Sequence, residues 1–214
     1  LGKIEGTLFG DVKINGVWKE TIASDPLSCL NVESKVRLGS FVLDGKNMSM
    51  DSTEVRVNDE NLYINNLLLK TEKGTFESNL IVDQKGIKEI EVQGDSVGIN
   101  NFDMFKAYLP PVFKTLQGLA TFRLKGNRVA NTQNKTFVQK MNFDGFVSLE
   151  DASFYDQSFD SFQMKYVWDT KKMMMNDVEV KERKSIVKGT GFVNFDKEYN
   201  FKLQSDFFVI FKII

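Results

Sequence analysis

The sequence predicts an all-β fold, one long antiparallel sheet interrupted by a single short α-helix. Three observations carry this. Apolar residues recur with a period of two in run after run, from Ile4 to Leu203. Short polar or Gly-containing turns separate the runs, which recur about every ten to fifteen residues. No ten-residue helical pattern alternates with them, which argues against a parallel α/β sheet.

Composition narrows the function classes. The 214 residues, 42% hydrophobic and 27% charged, are those of a folded chain. The net charge of -1 supplies no basic field for nucleic acid, and no nucleic-acid partner is expected. Nineteen phenylalanines against three prolines indicate an extensive apolar surface. Histidine is absent, which removes Ser-His-Asp and Cys-His catalysis and His-ligated zinc. Cys29 is the single cysteine, so neither an intrachain disulfide nor a thiolate metal site is expected. No apolar run reaches the roughly 18 residues of a membrane span. Residue 1 is Leu and no secretory signal is present, so the chain reads as a piece of a longer protein.

In chain order, Ile4, Gly6, Leu8, Gly10, Val12 and Ile14 share one phase, and Asn15-Gly16 is a hairpin signal leading into Val17–Glu20. Asp25-Pro26 breaks the pattern. Val36, Leu38, Ser40 and Val42 alternate, Asp44-Gly45 turns, and Met48 and Met50 resume. Val55 and Val57, then Leu62 and Ile64, flank a turn at Asn58–Asn61, and Leu67-Leu-Leu69 is apolar on both faces. Phe76, Leu80 and Val82 precede the turn Asp83-Gln-Lys-Gly86, after which Ile90 and Val92 follow. The predicted helix covers about 100–110. Asn100 or Asn101 caps it, Phe102, Phe105 and Leu109 share a side, and Pro110-Pro111 stops it. Strands then recur to the C-terminus.

No catalytic constellation emerges. Asp59-Glu60 and Glu150-Asp151 sit in turn signals, where carboxylates are solvated or bond local backbone. Gly189-Thr-Gly191 has no following helix to make a phosphate site. Lys171-Lys172 and Lys181–Lys184 have acidic neighbours and read as solvated strand ends. Asn47-Met-Ser49 and Asn134-Lys-Thr136 match the glycosylation sequon, which matters only in a eukaryotic secretory setting. No metal, cofactor or enzymatic activity is expected.

The apolar phase has two readings. In a closed β-sandwich with a structural or adhesive role, two sheets bury it against each other. In a curved sheet or half-barrel it lines an open hydrophobic groove. Glycine recurs in that phase at Gly6, Gly10, Gly118, Gly145, Gly189 and Gly191, which permits strong bending and leaves room for a guest. This favours the groove. Its lining would be Leu116, Ala120, Phe122, Leu124, Phe143, Val147, Leu149, Phe162, Met164, Tyr166, Trp168, Val178, Val180, Val193, Phe195, Phe201 and Leu203, with Phe102, Phe105 and Leu109 on a capping helix.

Three segments carry a family resemblance: Phe102-Asp-Met-Phe-Lys-Ala-Tyr-Leu-Pro110, Leu116-Gln-Gly-Leu-Ala-Thr-Phe-Arg-Leu-Lys-Gly126 and Gly145-Phe-Val-Ser-Leu-Glu-Asp-Ala-Ser-Phe154. A short helix ending at Leu-Pro, a Leu-x-Gly strand and a Gly-x-Val-x-Leu strand followed by Asp-Ala resemble the TamB and AsmA-like envelope proteins of diderm bacteria. The match covers about residues 96–154. It implies one elongated β-taco domain over 1–214 and a periplasmic location. It also implies phospholipid or another acyl-chain lipid in the groove. An inner-membrane anchor and an outer-membrane β-barrel partner would lie outside this stretch. The N-terminal anchor and C-terminal domain of full members are not found here.

Overall fold

The computed structural model describes residues 4–6, 9–16, 30–43, 46–58, 60–99, 116–129, 140–154, 157–194 and 198–205. The predicted helix, with Phe102, Phe105 and Leu109, lies outside the described residues. So do Cys29, Phe195 and the second strand of the Asn15-Gly16 hairpin.

The described strands are β1 (Ile4–Gly6), β2 (Phe9–Gly16), β3 (Leu30–Leu43), β4 (Lys46–Asn58), β5 (Asn61–Lys70), β6 (Thr75–Asp83), β7 (Gly86–Gly98), β8 (Gln117–Arg128), β9 (Met141–Phe154), β10 (Gln157–Trp168), β11 (Lys172–Glu182), β12 (Ser185–Asn194) and β13 (Tyr199–Ser205). They form one open antiparallel sheet in the order β1-β3-β4 and onward in sequence to β13, with β2 also pairing β3. The predicted all-β antiparallel sheet is therefore present. The single alternating run read from Ile4 to Ile14 is split into β1 and β2, which pair with successive stretches of β3. Two compact units divide the chain, Leu1–Val97 with Lys125–Arg128, and Gly98–Leu124 with Val129–Ile214.

In the first unit, register partners place like with like. Val32, Val57, Leu62, Val82 and Ile87 form one cross-strand row, and Val55, Ile64, Leu80 and Ile90 another. Directly opposed residues in an antiparallel pair share a face, so these rows make one face apolar. Charges alternate on the other face, in the rows Asp11–Lys35–Glu54 and Lys13–Glu33–Arg56. Such pairs penalise a two-residue slip, which would keep the faces but bring like charges such as Asp11 and Glu33 or Lys35 and Arg56 together.

The long strands keep their apolar face only because the backbone corrects its phase. Asn66, Ser96, Asp151 and Asp177 sit inside strands with φ of 55°, 50°, 47° and 51°. At Asn66 the β5–β6 register shifts by one, so Leu67 and Leu69 rejoin the face of Leu62 and Ile64. The Asn79 carboxamide accepts the Asn66 backbone N–H at 2.8 Å, satisfying a donor the slip takes out of the ladder. Asn, Asp and Ser occupy this left-handed conformation more readily than β-branched or bulky residues do.

The predicted turn at Asp83–Gly86 is closed locally and clamped from β8. The Asp83 carboxylate accepts the Lys85 backbone N–H at 2.7 Å. Arg128 donates from Nη1 to Asp83 Oδ1 at 2.7 Å and from Nη2 to Oδ2, and Nη1 also reaches the Gly86 carbonyl at 3.3 Å. The two side chains are only 18% and 22% exposed, so this bidentate pair is better shielded than an ordinary surface pair. The guanidinium lowers the Asp83 pKa from 3.8 to about 2, and the Lys85 N–H adds to the effect.

Two outcomes follow. A carboxylate with a lowered folded pKa stabilises the fold above its unfolded pKa and loses that contribution as pH falls through the folded one. Denaturant unfolding should show stability declining between pH 4 and pH 2, and Arg128→Ala should flatten that decline while lowering stability at pH 7 by about 1–2 kcal/mol. At the β5 slip, Asn66→Val should cost about 1–2 kcal/mol and Asn66→Gly almost nothing, read from the same unfolding curves.

Candidate apolar binding face

In the second unit the apolar face can be assembled strand by strand from the pairing. Phe143, Trp168, Met173, Val193 and Tyr199 form one row across β9 to β13. Gly145, Tyr166, Met175, Gly191 and Phe201 form the next. Val147 pairs with Met164, and beyond the Asp177 slip Val178, Gly189 and Leu203 continue that level. Leu149, Phe162, Val180 and Val187 complete the fourth. The structure thus brings most of the predicted lining residues of β9 to β13 onto one face.

Burial differs along it. Ala120, Leu149 and Ala152 form a buried cluster, with Leu116, Phe122, Val147 and Phe162 packed around it. Leu124, Phe143, Met164, Trp168, Val178, Val180 and Val193 are half-buried. Phe201 and Leu203 are 48% and 61% exposed, on a strand exposed along its whole length. A second sheet packed over these rows would bury most of them. Among the described residues there is no second sheet.

The predicted lining omits Ile99, Ala152, Phe159, Met173, Met175 and Val187, although the sequence places Val187 in the phase of Gly189, Gly191 and Val193. Phe159 and Ala152 pack with the buried cluster although each stands three residues from its in-phase neighbour, Phe162 or Leu149. The left-handed residue Asp151 lies in this step. Met173 and Met175 precede the Asp177 slip, and Val178 and Val180 follow it. At these steps the signal is a polar residue where the apolar phase changes parity, whereas Val187 stays in phase with its strand.

The glycines do not leave the vacancies expected of them. A Cβ on Gly145 would lie 2.8 Å from the Tyr166 hydroxyl and 1.9 Å from the Arg123 carbonyl oxygen. The Tyr166 side chain passes over Gly145, with its hydroxyl 3.5 Å from that carbonyl. Burial, with the Asp144 charge adding to it, pushes the phenol up to about 12. Gly118 has φ of 128°, and a Cβ there would meet the Ala152 Cα at 2.9 Å. Both are close backbone approaches that only glycine permits.

The opposite face is charged. A basin of about 560 Å³ is walled there by Gln163, Asp177, Glu179, Lys188, Lys202 and Gln204. A similar one of about 490 Å³ in the first unit lies among Asp11, Lys13, Glu33, Lys35, Glu54 and Arg56. Both lie between rows of long side chains of mixed sign. Glu179 is held below the usual carboxylate range by Lys181 and then Lys188, 2.9 and 3.3 Å away. Among the described residues no cluster of His, Cys, Asp and Glu could hold a metal ion. None of their helices is long and apolar enough to cross a membrane, which leaves strand-built spans unaddressed.

No family model matches the chain, and neither the curated proteins nor the solved structures contain a significant match.

The close approach at Gly145 sets an expectation. Gly145→Ala should destabilise the second unit by about 2–4 kcal/mol, since backbone must move to admit the methyl group. Tyr166→Phe should cost under about 1 kcal/mol, because its hydrogen bond is long. Thermal melts of the two variants would check the order, and an ultraviolet titration should lose one tyrosine transition near pH 12 in Tyr166→Phe.

Proposed function

We propose that this sheet holds the acyl chains of phospholipid, or of another acyl-chain lipid, against its apolar face. It does so as a non-enzymatic segment of a lipid-transfer bridge in the envelope of a diderm bacterium. The observation that carries the reading is the half-burial of in-register apolar rows on one face of a single open sheet. Water contact with such a surface is unfavourable, and each CH₂ of a ligand that replaces it gains about 0.8 kcal/mol relative to water. Because the rows repeat from strand to strand, that gain changes little as a chain moves across them, so sliding is cheap.

The bridge, the periplasmic location, the inner-membrane anchor and the outer-membrane β-barrel partner come from the resemblance of residues 96–154 to TamB and AsmA-like proteins. The sheet described above is compatible with it. The competing reading, a closed sandwich with a structural or adhesive role, needs a second sheet over the same rows, and the open sheet favours the lipid reading.

Protein purified without detergent should carry phospholipid at near-stoichiometric level, measured by extraction and lipid mass spectrometry. Lipid-free protein that also fails to take up a hydrophobic dye would overturn the proposal. Phe122 and Arg123 are neighbours on opposite faces of β8, half-buried and exposed. Phe122→Arg should fold, because a long cation at an open face can reach water, while lipid content falls. Arg123→Phe should leave lipid content unchanged. A fully misfolded Phe122→Arg would mean that the face is closed.

A further inference from the structure

The apolar face of β12 lacks side chains at two alternate positions, Gly189 and Gly191, and β13 covers both. Gly189 pairs with Leu203 and Gly191 with Phe201. A Cβ built on Gly191 would lie 2.3 Å from Phe201 Cδ1 and 2.6 Å from the Asn200 carbonyl oxygen, and one on Gly189 2.6 Å from Leu203 Cδ2 and 2.7 Å from the Lys202 carbonyl oxygen. The ring and the isobutyl group thus rest in the space a side chain on β12 would fill. Both belong to a strand that pairs only with β12 among the described strands, and every residue of it is exposed. Tyr199, the ring neighbour of Phe201 at 6.3 Å, is itself 74% exposed. The cover is therefore held by few contacts and can turn about its own side-chain bonds without breaking the β12–β13 ladder. On the other side of the glycines stand Met175 and Val178, partners of Gly191 and Gly189. Beneath the cover, then, the floor is bare backbone and the wall is apolar.

We infer that Phe201 and Leu203 are a displaceable cover over a glycine-floored trough, and that an acyl chain enters this part of the sheet by pushing the two side chains aside. The inference rests on the lipid reading of the same face. It assigns Gly189 and Gly191 the admission of the chain, and Phe201 and Leu203 the closing of the trough when it is empty. A cover that must move lowers apparent affinity by the fraction of time the trough is open. Its removal should therefore strengthen binding, whereas removal of lining contacts should weaken it.

The test is the affinity of the whole chain for palmitoyl lysophosphatidylcholine below its micellar concentration, by isothermal calorimetry. It compares wild type, Phe201→Ala/Leu203→Ala, and Lys202→Ala on the opposite side of the same strand. Circular dichroism and thermal melting verify that each is folded. The double variant should bind roughly threefold to tenfold tighter, the range expected if the closed form holds most of the population. Lys202→Ala should match wild type. Weaker or unchanged binding by the folded double variant would overturn the cover and leave the lipid reading standing. An absence of binding by every protein, wild type included, would sink both. If the double variant melts out, Phe201→Leu, which shortens the cover without emptying it, should still bind tighter than wild type, and unchanged affinity there would also overturn the inference.

Discussion

A pleated strand turns successive side chains to opposite sides, and over ten or more residues any irregularity sends the apolar set to the wrong face. This chain meets that constraint with left-handed residues inside the strands. Asn66, Ser96, Asp151 and Asp177 each stand where the apolar phase changes parity, and the next residue (Leu67, Val97, Ala152, Val178) rejoins the face of the residue two before the step (Ile64, Gly94, Leu149, Met175). Without the step at Asp177, the row Met173–Met175 and the row Val178–Val180 would point in opposite directions. The continuity of the apolar face therefore depends on four short polar residues whose own side chains do not form it.

What holds the sheet together is distributed differently on its two faces. On the apolar face the gain comes from cross-strand neighbours, and little of it from a deep core. Among the described residues the fully buried large side chains are Met141 and Val97. On the charged face, salt bridges such as Lys70–Asp51 at 2.8 Å and Lys165–Asp177 at 2.8 Å are half exposed or more, and each is worth little. Their arrangement still matters, because alternating signs disfavour a slip that no single pair would prevent. The Arg128–Asp83 clamp differs in kind. It is shielded, bidentate and fixed to a turn, so it ties the end of β8 to the β6–β7 hairpin.

Much of this was legible in the sequence. Alternation in Phe143–Leu149 and Phe162–Trp168 named two neighbouring strands and their shared face, and Asp83–Gly86 named a turn. Periodicity could do so because each of those runs keeps a single phase. It failed where the phase changed. Met173 and Met175 were separated from Val178 and Val180 by an odd step, and a rule of period two assigns them to the other side. Glycine was also misread. Its recurrence in the apolar phase suggested vacant space, but a missing Cβ on one strand is an invitation to the larger neighbour on the next, and Tyr166, Phe201 and Leu203 took those places. Which neighbour fills a gap depends on register, and register emerges only once the strands are paired.

From β3 onward each strand pairs with its neighbours in sequence, so the sheet is a plain meander. Contacts of that kind are close along the chain, and from β3 to β7 and from β9 to β13 closing them requires only short loops. Assembly can begin at whichever hairpin forms first and spread outward by adding one strand at a time. The same connectivity makes the hairpin a unit of length. Two adjacent strands can be gained or lost over evolutionary time without reversing the direction of any other strand or turning it over, and the sheet only grows or shrinks. The cost falls on the chain while it is growing. Until the next strand arrives, the last one offers a row of open hydrogen-bonding groups beside an oily surface, and another molecule can occupy that edge first.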